Sequence, residues 1–283
     1  MTNDPLVIDH ALYGGRDLDV LVDAFAAADL APVPGGEHQH DVTHNALLGF
    51  DDGTYIELIA PRDPGQETAV RNAFFQGEAG PCGWAVAVDD IEAEVGRFRS
   101  GGIDVDGPSY HERETPAGEM IEWEVAYPGG GEPGRTLPFL IEDHTPRARR
   151  IQPSPSVSGS PLTGIAEVVI GVTDLDTAVD TFRRAYGLEA PNRGIDEGSA
   201  TEYATFSSFP ALLTAPTAAN TWLTDRLERF GDLPWAILLG TTAFQEVVEG
   251  DGHVEETTLA DRRVAWLPLD SPTNGRVGIL ANE

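Results

Sequence analysis

Short apolar runs along this chain repeatedly end on an acidic residue and give way to apolar positions at helical spacing. The run at 8–14 leads into Asp17 and then Leu18, Leu21, Val22 and Phe25, the run at 83–88 leads into Asp90 and reaches Phe98, and the run at 165–172 leads into Asp174 and reaches Phe182. In each copy an aromatic stands eight positions after the acid (17 to 25, 90 to 98, 174 to 182). A strand, an Asp N-cap and a helix that buries its aromatic would produce this pattern. A fourth run, at 235–240, keeps the strand but lacks the capping Asp. Repetition of one strand-helix unit is therefore the main fold signal.

The rest of each unit reads as strands. In the first, Pro32, Pro34, Gly35 and Gly36 stop the helix, and strands near 44–50 and 54–59 flank an Asp51-Asp52-Gly53 hairpin signal. The second predicts a strand at 84–88, a helix over 91–99, a Gly101-Gly102 stop, and strands near 119–126 and 137–141. A connecting helix is expected over 68–75. The third predicts a helix over 174–186 and strands near 202–206 and 211–214, and the fourth follows a helix at 220–230 and ends in strands at 264–269 and 277–280. The expected fold class is α+β, with paired β-α-β-β-β modules forming curved mixed sheets and helices on the outer face. A domain over 6–145, with modules at 6–62 and 82–145, would be followed by a Pro/Ser-rich linker at 146–162 and a second, degenerate domain at 163–283. One unit makes a half-open sheet, whereas two side by side enclose a cleft suited to a small molecule.

Charge changes the picture more than composition does. Across 283 residues, 47 acidic side chains against 18 basic ones leave a net charge of -29, and every basic residue is Arg. Carboxylates so numerous repel one another unless salt screens them, over about 3 Å at roughly 1 M. Because the acid is scattered and not gathered in a tail, we read the chain as halophilic. No basic stripe is available for phosphates, so nucleic acid is not an expected partner, and the one cationic cluster is Arg147, Arg149 and Arg150. The single cysteine, Cys82, excludes an intrachain disulfide and a multi-cysteine metal site. No run approaches the ~20 apolar residues of a membrane span, and the first residues carry no basic leader, so a cytoplasmic, soluble protein is expected.

Paired β-α-β-β-β units with an Asp-Leu-Asp helix start resemble the vicinal oxygen chelate superfamily, which includes glyoxalases, extradiol dioxygenases, epimerases and antibiotic-resistance proteins. The first half is similar to its glyoxalase-like domain branch through Ile8-Asp9-His10, Gly35-Gly36-Glu37-His38 with Thr43-His44-Asn45-Ala46-Leu47, Tyr55-Ile56-Glu57-Leu58-Ile59, and Leu137-Pro138-Phe139-Leu140-Ile141-Glu142. The second half matches by repeat pattern only. The resemblance implies a cleft in which one residue from the first strand and one from the last strand of each of two units hold a divalent ion such as Zn, Mn, Fe or Ni. His10 and Glu57 occupy the two places of the first unit, with chemistry suited to such an ion. The second unit offers Gly83 and Phe139, the third Glu167 and Thr214, and the fourth Trp235 and Gly278. His44 would complete a metal set with His10 and Glu57 if it faces the cleft.

The remaining candidates follow from residue type. Glu57 stands in an apolar strand, where a carboxylate is costly unless a metal, a histidine or a substrate meets it. Glu57 and His44 are therefore the candidate proton-moving groups. Arg113 is a candidate carboxylate anchor, and Trp123, Phe139 and Tyr55 are candidate pocket walls or core. A strand histidine merely bonded to Asp9 or Glu57 is the plain reading of His10. His38, His40 and Asp41 read as a solvated loop or a lid, and Cys82 as an inert thiol. Two functions fit: a metal-dependent lyase, isomerase or dioxygenase acting on adjacent oxygens, or a metal-free protein that binds or sequesters a small molecule. Either works as a monomer or a homodimer.

Overall fold

Asp17, Asp90 and Asp174 cap three helices as their spacing predicts. Asp17 accepts from the backbone of Asp19 and Val20, Asp90 from Ala93 and Asp174 from Thr177, in α1 (Leu18–Ala27), α2 (Ile91–Ser100) and α4 (Leu175–Tyr186). The aromatics eight positions on, Phe25, Phe98 and Phe182, are all buried. The computed structural model describes residues 6–35, 43–63, 74, 79–114, 118–130, 134–250, 254–269 and 276–281. The 36–42 loop with His38, His40 and Asp41, and the connecting helix expected over 68–75 apart from Phe74, lie outside these.

The first unit is β1 (Val7–Gly14), α1, β2 (Val33–Pro34), β3 (Thr43–Gly49) and β4 (Tyr55–Pro61). The second is β5 (Gly80–Ala87), α2, β6 (Val105–Glu114), β7 (Met120–Pro128) and β8 (Phe139–Asp143). After the short α3 (Arg147–Arg150), the third runs β9 (Leu162–Gly171), α4, β10 (Asn192–Asp196), β11 (Thr201–Phe206) and β12 (Phe209–Pro216). Then come α5 (Trp222–Phe230) and the fourth unit, β13 (Leu233–Thr241), α6 (Phe244–Gly250), β14 (Glu255–Leu259), β15 (Arg262–Trp266) and β16 (Arg276–Leu280). The fourth unit thus keeps its helix although its sequence lacks the Asp cap.

Each pair of units forms one eight-stranded sheet, in the order β2-β3-β4-β1-β5-β8-β7-β6 and β10-β11-β12-β9-β13-β16-β15-β14. The first strand of a unit runs parallel to its last, and antiparallel to the first strand of the neighbouring unit. The two curled mixed sheets are those expected of paired modules. Four strands escape the sequence pattern: β2, β6, β10 and β14. All are sheet edges. An edge strand is wetted on several sides and need not alternate apolar with polar; in β6 most side chains are exposed or half-exposed.

The outer faces share one core. Ala11 and Tyr13 of β1, Trp84 and Val86 of β5, Val168 and Ile170 of β9 and Ile237 and Leu239 of β13 join the three helix aromatics in a single apolar cluster. The fully buried Trp84 meets Phe209 edge-on at 5.8 Å between centroids. Each such side chain stabilises the fold by about 1.5–3 kcal/mol through removal from water. The 146–162 stretch is packed along the first sheet: Ile151 and Val157 are buried, and Ser154 bonds Gly49 through both its backbone N–H (2.9 Å) and its hydroxyl (3.1 Å). Proline removes donors from this stretch, and the backbone groups that remain bond partly one another, as in Val157 and Ser158 to the Ser154 carbonyl, and partly the first sheet through Ser154.

Candidate functional site

Strand register decides which side chains meet on the concave face of the first sheet. His10 lies beside Tyr55 and Leu12 beside Glu57 across the parallel β1–β4 pair, while Asn45 and Leu47 of β3 oppose Ile59 and Glu57. Residues in register share a face, so His10, Leu12, Asn45, Tyr55, Glu57 and Ile59 point inward together. Across the sheet Ala85, Ile121, Trp123, Val125, Phe139 and Ile141 continue the same surface as an apolar cluster. The second half contributes Phe230, whose ring stacks on Phe74 at 4.9 Å, and Leu233.

His10 is locked in this wall. Its ring stacks on Tyr55 (centroids 4.6 Å, planes 17° apart) and takes the edge of Phe139 at 5.2 Å. A bulge interrupts the β1–β5 ladder between Ile8 and His10. It sets Asp9 and His10 side by side where a regular strand would send them to opposite faces. His10 Nδ1 lies 2.6 Å from Asp9 Oδ1, and Nε2 lies 3.6 Å from Glu57 Oε2. Asn45 Nδ2 donates to Glu57 Oε1 at 2.7 Å. Among the described residues the buried Asn45 Oδ1 has no hydrogen-bond partner, and it sits over Gly35, where a Cβ would press on the Asn45 amide and force it to shift.

Beneath this lies an ion cluster centred on the buried Asp9 and Arg150. Arg150 Nη1 and Nη2 donate to Asp9 Oδ1 and Oδ2 at 3.0 and 2.7 Å, and Nε and Nη2 donate to Asp143 Oδ1 and Oδ2 at 2.7 and 2.8 Å. Arg150 Nη1 also donates to the Tyr55 hydroxyl at 2.7 Å, and Arg147 Nη2 lies 3.0 Å from Asp9 Oδ2. Burial by itself would push the Asp9 carboxyl up; the Arg150 charge and the His10 hydrogen bond outweigh it and hold the pKa well below the usual carboxylate range. Burial drives the Tyr55 hydroxyl far up, so it stays a neutral phenol. The clue in the sequence is the cationic cluster Arg147–Arg150, the only one in a strongly acidic chain; its destination was invisible there.

The sequence-expected residues divide. His10, Glu57, Tyr55, Trp123 and Phe139 come together on the concave face. His44 does not: it lies opposite Ala60, on the face where Ala46, Leu48 and Ala60 join the outer core beneath α1. The alternation of 44, 46 and 48 is real, but it marks the helix side of the strand, and Asn45 takes the inward place instead. Arg113 is buried, donating from Nη1 to the Gly35 carbonyl and from Nη2 to the Arg150 carbonyl at 3.1 Å. Its terminal nitrogens brace the site's backbone and are not presented as a carboxylate clamp. Burial lowers its pKa.

The ion set implied by the resemblance is incomplete. Two-fold related register puts Gly83 in the place of His10 and Phe139 in that of Glu57. In the second half the corresponding places fall to Glu167, Leu212, Ala236 and Gly278, so Leu212 and Ala236 replace the expected Thr214 and Trp235. There Glu167 pairs with Arg262 at 2.7 Å, and the Trp266 ring packs against Gly278. Burial raises the Glu167 pKa, and Arg262 opposes the rise. Among the described residues no group of three or more His, Cys, Asp or Glu side chains is placed to hold a metal ion. Two donors, His10 and Glu57, do not fit a tightly held ion.

A family model described as a glyoxalase-like domain matches residues 8–185, from β1 through α4. Among solved structures, a hypothetical protein from Staphylococcus aureus aligns at a TM-score of 0.61 with 14% identity, over 97% of this chain and 98% of that one. A triple mutant of 4-hydroxymandelate synthase from Streptomyces coelicolor aligns at 0.60 with 12% identity, over 98% and 92%. At these identities the likeness is one of fold. No curated protein matches the chain by sequence.

Proposed function

We propose that this chain, which belongs to the glyoxalase-like domain family of the vicinal oxygen chelate superfamily, binds a small organic molecule on the concave face of its first sheet, where His10 and Glu57 act as a proton-transfer pair. The observation that carries this reading is the pairing of His10 Nε2 with Glu57 Oε2 at 3.6 Å on a wall otherwise built of Leu12, Ile59, Trp123 and Phe139. An apolar wall with a few convergent polar groups suits a small ligand. Within it, an imidazole and a carboxylate can take a proton from an acidic C–H or O–H and return it elsewhere, the electron pair staying on the substrate in between. The chemistry that fits is isomerase or lyase chemistry on a compound bearing neighbouring oxygens. A divalent ion would polarise such oxygens, but the donors present do not fit one, and no step here depends on it.

Proton exchange tests the proposal. The protein is incubated in D2O with 2-oxo acids, 1,3-dicarbonyl acids and hydroxylated benzoates at molar KCl, and loss of the activated proton is followed by NMR. For at least one compound class, wild type should exchange about 10²–10⁴-fold faster than H10Q and E57Q. Equal rates in all three proteins, with retained binding of a compound, would instead support a protein that only binds or sequesters its ligand. Metal analysis of the same samples should find far less than one ion per chain.

A further inference from the structure

We propose that Asp9 and Arg150 form a positioning clamp that fixes the ring and tautomer of His10, so that the segment joining the two halves of the chain is a working part of the site. This rests on the reading of His10 as the proton-transferring base.

The geometry is unusual in three respects. First, Asp9 and His10 are neighbours in sequence, and their side chains meet only because the strand bulges between Ile8 and His10. Second, Asp9 is 0% exposed and accepts on both oxygens from Arg150, so its carboxylate can neither rotate away from Nδ1 nor exchange that bond for water. Third, Arg150 is itself immobilised: Asp143 grips the other edge of its guanidinium, Tyr55 accepts from Nη1, and Arg113 holds its carbonyl. A buried carboxylate facing Nδ1 requires a hydrogen on that nitrogen. In the neutral ring Nε2 then keeps its lone pair, and Nε2 is the atom that faces Glu57. Tyr55 serves twice, as the platform under the imidazole and as an acceptor for Arg150.

This arrangement explains why a chain so poor in cations gathers Arg147 and Arg150 just past β8. The arginines come from the connection between the sheets, so connection and base are one unit. Asp9 touches His10, and Arg150 holds Asp9; both act through the histidine, as positioning residues.

The test reads the tautomer directly and needs no ligand. Protein labelled with 15N-histidine is examined by long-range 1H–15N correlation in molar KCl at about pH 8.5, above the ordinary histidine pKa of ~6.5. The His10 signals are identified by their disappearance in H10Q. Wild type should show hydrogen on Nδ1 and an unprotonated Nε2. In D9N the two nitrogens should exchange character or average. R150K keeps the charge without the planar fork and should shift partway, with an unchanged circular dichroism spectrum. Hydrogen on Nε2 in wild type, or an unaltered pattern in both variants, overturns the clamp. If D9N does not fold, R150K alone decides: an unaltered pattern refutes the proposal. Where proton exchange has been observed, D9N should slow it about 10–100-fold. If no compound exchanges but the tautomer follows Asp9, the clamp stands and the acid–base function falls.

Discussion

Replacing Arg150 with methionine should be among the most costly single changes in this protein. The side chain fits the volume, but the guanidinium that donates to Asp9, Asp143 and Tyr55 is lost, leaving the fully buried Asp9 with Arg147 and His10. Removing one partner of a buried pair costs about 3–5 kcal/mol, because the other charge stays behind in a poor solvent. With an unfolding entropy of ~2.1 cal/mol/K per residue, 283 residues give about 0.6 kcal/mol/K, so the melting temperature should fall by about 7 °C. The pH dependence is more diagnostic. In wild type the folded Asp9 pKa lies below its unfolded value of ~3.9, so its stabilisation is fully present above about pH 4 and is lost as pH falls further. In R150M the attraction that lowers the pKa is largely gone while burial still raises it, so protonation relieves the variant. The gap between the two proteins should therefore be widest near pH 7 and narrow progressively as pH falls through about 4 and below. Urea unfolding in 2 M KCl across that range measures it, and salt should not erase a buried effect. A gap under about 1 kcal/mol at pH 7, or one independent of pH, would refute the reasoning.

The remaining expectations concern other parts of the molecule. Trp84→Ala, at the apolar junction between the sheets, should cost about 3–5 kcal/mol and lower one shared calorimetric transition; two separate transitions would show that the halves are independent. Truncation after residue 150 should leave a chain that binds a hydrophobic dye and aggregates. His44→Ala should leave proton exchange within about twofold of wild type, because the side chain lies on the helix face, whereas Asn45→Leu should slow it by releasing Glu57 from its 2.7 Å bond. A charge of -29 predicts a melting temperature that climbs between 0.1 and 2 M KCl, and a flat or falling curve would remove the halophilic reading.

Legibility differed sharply between elements. The strand-helix beginnings were readable because two signals coincide there: an Asp that caps the first turn and an aromatic that must be buried. The edge strands β2, β6, β10 and β14 were not, since little in their surroundings imposes alternation. His10 and Glu57 could be singled out because polar groups in apolar strands require partners. His44 misled for a related reason: its alternation with Ala46 and Leu48 signals a buried face, and both faces of this strand are buried along most of its length.

The sequence by itself determined the repeat, the paired-module fold, the presence of a carboxylate in an apolar strand and the unusual charge, because each depends on local spacing or on composition. Tertiary structure alone decided which side of each strand faces the cleft, since that turns on strand register and on a one-residue bulge. It also decided that arginines 138 and 141 positions after Asp9 close on it, and that the Trp266 ring packs against Gly278 in the second half. Ion pairs between distant segments leave no periodic trace in a chain; only folding brings their charges within reach.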